Sequence, residues 1–147
     1  MQRDGKVGRR GEQAGDRVGH EDHPPPGGRA FIVAASGVAC LLRNDVGNIV
    51  AAPGGTEAVL GTVAEARAVV AAAVHPVPPA VHHATVRALT AEGSTFTSSL
   101  YRDAVAGRDG ETEHLLGAFQ TCAREHGVAT PLLDLVLVQL RAAALAA

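Results

Sequence analysis

Thr130–Pro131–Leu132–Leu133–Asp134–Leu135–Val136–Leu137–Val138–Gln139–Leu140 is the stretch from which the fold is read. Thr130 is a good N-cap residue, and Pro131 suits the first helical position, where a missing N–H has no partner to lose. The apolar residues behind them do not alternate, so the stretch reads as a helix and not as a half-exposed strand. It has so little polar surface that it is expected at the centre of a bundle.

Working outward, residues 111–126 place Leu115, Ala118, Phe119, Cys122 and Ala123 on one helical face, and Gly127 ends that helix. Ser98 or Ser99 starts a short helix that Gly107 stops. The run Ala30–Leu42 is uncharged, mostly apolar and long enough for a buried helix, closed by Arg43–Asn44–Asp45. Pro53–Gly54–Gly55 marks a turn, and Thr56 is expected to cap the next helix, which carries Val59, Val63, Val70 and Val74. Gly61 weakens that helix, and Thr62 with Glu65 could form a capping box that restarts it. His75–Pro76–Val77–Pro78–Pro79 cannot continue a helix, so it links to another over about 80–91. The fold class is therefore all-α, a helical bundle without internal repeats.

The composition agrees with closely packed helices. Of 147 residues 46% are hydrophobic, with 28 Ala, 18 Val and no Trp, which makes a core of small side chains. Length allows one domain of ordinary size. A net charge of −2 excludes a strongly basic nucleic-acid footprint and gives no attraction to anionic lipid. The longest apolar run, Ala68–Val74, is far short of the roughly 20 residues of a membrane span. The N-terminus has no apolar h-region, so no secretory signal is expected. Cys40 and Cys122 read as buried free thiols of a reducing, cytoplasmic compartment.

Residues 1–28 differ from the rest. Five basic and five acidic residues, seven Gly and Pro24–Pro25–Pro26 leave only Met1, Val7, Ala14 and Val18 as apolar residues. Such a segment is expected to be a disordered tail, ending in an extended spacer, with the ordered domain at 29–147. Arg9, Arg10 and Arg17 suggest a nucleic-acid arm, but the acidic residues cancel them, and a solvated tail is the better account.

Several chemical motifs fail on context. Gly5, Gly8 and Gly11 follow no strand and so form no dinucleotide fingerprint. His75, His82 and His83 are split by prolines and joined by no carboxylate or thiol, so surface histidines are expected in place of a metal site. Neither cysteine has a partner at metal or redox spacing.

One pattern is more specific. Thr97–Ser98–Ser99–Leu100–Tyr101–Arg102–Asp103 and Ala106–Gly107–Arg108 lead to Glu111–Thr112–Glu113. Hydroxyls open one helix and carboxylates the next, where unsatisfied N–H groups and positive dipole ends lie. If the two starts converge, they can hold one small polar substrate. Otherwise the same residues serve as helix caps.

These residues resemble the C-terminal domain of ketopantoate reductase (2-dehydropantoate 2-reductase), a helical bundle of the 6-phosphogluconate dehydrogenase C-terminal-like kind. Leu116–Gly117, His126–Gly127–Val128–Ala129–Thr130–Pro131, Cys40–Leu41–Leu42–Arg43 and Val46–Gly47–Asn48–Ile49–Val50–Ala51–Ala52–Pro53–Gly54–Gly55 continue the likeness over about 29–147. The resemblance implies reduction of ketopantoate with NADPH, on the way to pantothenate and coenzyme A. An N-terminal Rossmann domain would hold NADPH, and this domain would cover the substrate. By position, Ser99 corresponds to a substrate-binding serine. Glu111 corresponds to the acidic residue that binds substrate and supports a general-acid lysine.

The sequence departs from that pattern at named places. The Rossmann half is absent, and the lysine position falls near Gly28, beside Arg29, while the chain's one lysine is Lys6. A guanidinium stays protonated and makes a poor proton donor. Positions where some members carry asparagines hold Ile32, Ser36 and Val46, and Gly110 stands before Glu111 in place of threonine. Two functions follow. One is the substrate-binding domain of an NADPH-dependent reductase, inactive alone and completed by a Rossmann-domain partner chain, or acting as a homo-oligomer. The other is a non-catalytic association module or truncated remnant, in which Ser99 and Glu111 are only caps.

Overall fold

The computed structural model describes residues 26–108 and 110–146. The expected tail therefore lies outside the described residues up to position 25, as does Lys6. Seven helices form from the described residues: α1 (Pro26–Leu42), α2 (Val46–Ala51), α3 (Gly55–Ala73), α4 (Pro79–Leu89), α5 (Ser99–Val105), α6 (Gly110–Glu125) and α7 (Pro131–Leu145). No strand occurs among them, so the domain is all-α.

Helix α1 begins at Pro26, four residues ahead of the expected start at Ala30. A proline with its φ already near the helical value opens a helix readily, so the last residue of the proline run belongs to α1 and not to an extended spacer. Small side chains make α1 the centre. Ala34 and Ser36 are fully buried, and a Cβ at Gly37 would come within 3.1 Å of Leu133 and 3.4 Å of Thr62. Helices α3 and α7 can thus lie close against α1, while α4, α5 and α6 also meet it.

The expectation of a central α7 is corrected by this arrangement. Leu133, Val136, Leu137 and Leu140 enter the core, but Leu135 and Val138 are 54% and 60% exposed. Only one side of α7 is covered, because α1 takes the central place.

Other expectations change for local reasons. Helix α2 was not expected; Asp45 caps it by accepting from the Asn48 N–H at 2.8 Å. Helix α3 starts at Gly55 with Gly54 as its N-cap in the left-handed region (φ 82°), so Thr56 lies inside the first turn. The helix also runs through Gly61 without a restart, and Thr62 Oγ1 donates to the Ala58 carbonyl. In α6 the buried residues are Thr112, Leu116, Gln120 and Ala123, while Ala118 is exposed. The face is rotated because Thr112 and Gln120 find hydrogen-bond partners inside, on Leu100 and Asp134. Gly107 and Gly127 adopt positive φ, as expected of residues that end helices.

Candidate functional site

Short helices position the candidate residues, and backbone hydrogen bonds hold those helices. The first N–H groups of α2, on Val46 and Gly47, donate to the carbonyls of Phe96 and Ser94 at 3.1 and 2.7 Å. This pairing fixes the segment that leads into α5. It requires glycine at position 47, since a Cβ there would sit 2.6 Å from the Ser94 oxygen.

Helix α5 is then capped by Ser98, whose Oγ accepts from the Tyr101 N–H at 3.0 Å. Ser99, the first residue of α5, is exposed. Arg102 donates to the Thr97 carbonyl at 3.2 Å, and Arg108 pairs with Asp103 at 3.1 Å. Arg102 thus braces the entry to α5, and Asp103 with Arg108 the turn between α5 and α6; the ion pair is too exposed to contribute much stability.

The starts of α5 and α6 are joined by one buried contact. Thr112, only 1% exposed, donates from Oγ1 to the Leu100 carbonyl at 3.1 Å. Leu100 follows Ser99, and Thr112 follows Glu111. The two candidate residues therefore stand next to the anchors that tie these helix starts together, and both face solvent. Neither lines the open groove of about 440 Å³ between α6 and α7, whose walls include Glu113 and Arg141. Those two pair at 2.9 Å and tie the first turn of α6 to the last turns of α7.

The α1 side contributes little polar chemistry. Arg29 is exposed, Ile32 half-buried, and Ser36 and Val46 are buried. Ser36 Oγ is enclosed without a hydrogen-bond partner among the described residues. It cannot reach a ligand from solvent.

The cysteines and histidines stand apart from these residues. Burial pushes the Cys40 thiol up to about 11, against a smaller downward pull from Arg43. Cys122 is half-buried, not buried as expected, with its Sγ 3.8 Å from His126 Nδ1. His82 and His83 lie 6.0 Å apart on α4, and partial burial, then Arg67 and His83, hold His82 below its ordinary value. Among the described residues no group of three or more His, Cys, Asp or Glu could hold a metal ion, and no helix is long and apolar enough to cross a membrane.

Sequence reasoning left the cap of α5 open between Ser98 and Ser99, which the structure settles as Ser98, and it missed Thr112 as the joint between α5 and α6. The spacing of Thr112, Leu116, Gln120 and Ala123 carries the signal for Thr112, but only if polar residues are admitted to the inward face.

Comparison with known proteins places the bundle in a recognised family of domains. Residues 30–144 match the family described as ketopantoate reductase PanE/ApbA C terminal, and the chain belongs to that family. It is also similar to an uncharacterized oxidoreductase, YkpB, of Bacillus subtilis (strain 168), with 28% identity over 111 residues. That match takes in 76% of this chain and 37% of the relative, so the chain spans much less than the length of the curated protein. No solved structure matches it.

Proposed function

We propose that this chain is the substrate-binding domain of an NADPH-dependent 2-dehydropantoate 2-reductase, with Ser99 and Glu111 binding ketopantoate. The observation that carries the reading is the Thr112–Leu100 hydrogen bond, which joins the first turns of α5 and α6 beside these two residues. The Ser99 hydroxyl can donate to or accept from a substrate oxygen, and the Glu111 carboxylate accepts from a substrate hydroxyl. Both residues are at helix starts, where free N–H groups and the positive dipole end favour an anionic 2-keto acid.

NADPH would supply the hydride that reduces the ketone. The described residues do not fit that cofactor, since they contain no strand and hence no strand–glycine turn–helix cradle for its pyrophosphate. A Rossmann domain on another polypeptide would bind it, and this domain would close over the substrate and exclude water. No lysine stands at the start of α1, where Arg29 is exposed, and a guanidinium makes a poor proton donor. The proton for the product alkoxide therefore comes from water or from the partner domain, with Glu111 orienting the group that delivers it.

The test is ketopantoate-dependent NADPH oxidation in a mixture of this chain with a separately produced Rossmann domain of the family. Turnover is expected only when both are present, and Ser99→Ala and Glu111→Gln are each expected to lower it at least tenfold. No turnover in the mixture contradicts the reading and favours the non-catalytic module.

A further inference from the structure

Helix α7 carries an apolar stripe that no other described residue covers. Pro131, Leu135, Val138, Ala142 and Leu145 are all exposed, Leu145 at 89%. The steps between them alternate between four and three residues, the repeat of a helix that pairs with another helix. The stripe is separate from the face that α7 gives to the core. It is also wider than one helix. The first turn of α7 rests on α3, where a Cβ at Gly61 would come within 2.9 Å of Leu132, and the neighbouring Leu60 is exposed too. An apolar surface of this kind on a folded domain marks an interaction site.

The charges beside the stripe select its occupant. Asp134 and Arg141 lie seven residues apart, hence on the same flank, and are opposite in sign. An antiparallel copy of α7 presents that flank in reverse order, so Asp134 meets the partner's Arg141 and Arg141 meets the partner's Asp134. A parallel copy would set these charges against the uncharged flank of Leu132 and Gln139. Both groups keep capacity for such a contact. Gln120 and Thr130 donate to the same oxygen of Asp134, Oδ1, and Arg141 holds Glu113 through Nε and Nη2. Oδ2 and Nη1 remain for a partner across the stripe. Residues 1–25 do not suit the place, because their sequence offers only four scattered apolar side chains.

We infer that α7 is the contact of a two-fold symmetric dimer, paired antiparallel with α7 of a second copy of this chain. Leu135 packs on the partner's Val138, and Pro131 on the partner's Ala142, which makes the interface self-complementary. This association stands apart from the substrate reading and can be tested without any ligand.

The experiment is sedimentation equilibrium of the 147-residue chain and its variants, with helicity followed by circular dichroism. A dimer is expected for the wild type. Leu135→Glu and Val138→Glu, at sites already more than half exposed, are each expected to raise its dissociation constant at least tenfold with unchanged helicity. Val74→Glu, at an exposed apolar position just past the end of α3, is expected to leave the dimer intact. Arg141→Glu is expected to weaken it and to be more harmful in low salt. A wild-type monomer at every concentration overturns the proposal. So does a dimer that survives both stripe substitutions, and one indifferent to Arg141→Glu overturns the antiparallel register.

Discussion

Gly47 shows how a single missing side chain positions a candidate site. Its amide bonds the Ser94 carbonyl, and a Cβ in its place would press on the same oxygen. Gly47→Ala is expected to cost about 1–3 kcal/mol, the usual price of overpacking a tight contact, seen as a lower midpoint in urea. Cys40 gives a second check at this scale. Its thiol holds its proton up to about 11 in the folded protein, compared with 9.0 when unperturbed. The folded state thus binds more proton over that interval, so this group's contribution to stability is intact below pH 9 and falls as pH rises towards 11. Wild type is expected to lose more stability than Cys40→Ala between pH 8 and pH 11, by about 2 kcal/mol at most. At neutral pH, a thiol reagent is expected to modify Cys122 well before Cys40. Residue types were readable in the sequence where local rules decide them, as at Gly107 and Gly127. They were not readable where contact is distant, as at Thr112, whose partner carbonyl lies on the preceding helix.

At the scale of the helix, Glu65 is the instructive residue. The spacing of Thr62 and Glu65 suggests a local capping box, yet Glu65 caps a different helix. Its two carboxylate oxygens accept from the Leu132 and Leu133 N–H groups at 2.8 and 3.0 Å, while Thr130, the expected cap of α7, donates to Asp134 instead. Gly61 makes this possible, because Leu132 packs where a side chain at that position would stand. Glu65→Ala removes both acceptors from the positive end of α7, and a loss of about 1–2 kcal/mol is expected. Glu65→Gln keeps one acceptor oxygen and should lose less; equal losses would show that charge, not hydrogen bonding, dominates. Periodicity located α1, α3, α6 and α7 because long apolar patterns survive tertiary packing. It missed α2, a helix of six residues held by Asp45 and by carbonyls from a distant loop. It also misjudged the face of α6, because buried Thr112 and Gln120 are paired inside and look like surface residues in the sequence.

For the whole molecule, small side chains set the architecture. An alanine- and glycine-rich α1 lets the other helices close around it, which leaves α7 at the periphery with one apolar face unused. The all-helical class was legible from this composition, whereas the identity of the central helix depends on which faces meet. The candidate site rests on family likeness: by local rules alone Ser99 and Glu111 look like residues of ordinary helix starts, and the joint beside them is made by Thr112 and Leu100. The central claim is that those two exposed residues bind a small 2-keto acid. Calorimetric titration of the purified chain with ketopantoate tests it most directly. Saturable binding is expected, weakened at least tenfold by Ser99→Ala and by Glu111→Gln while the melting temperature stays close to wild type. Absence of saturable binding, or an affinity unchanged in both variants, would contradict it.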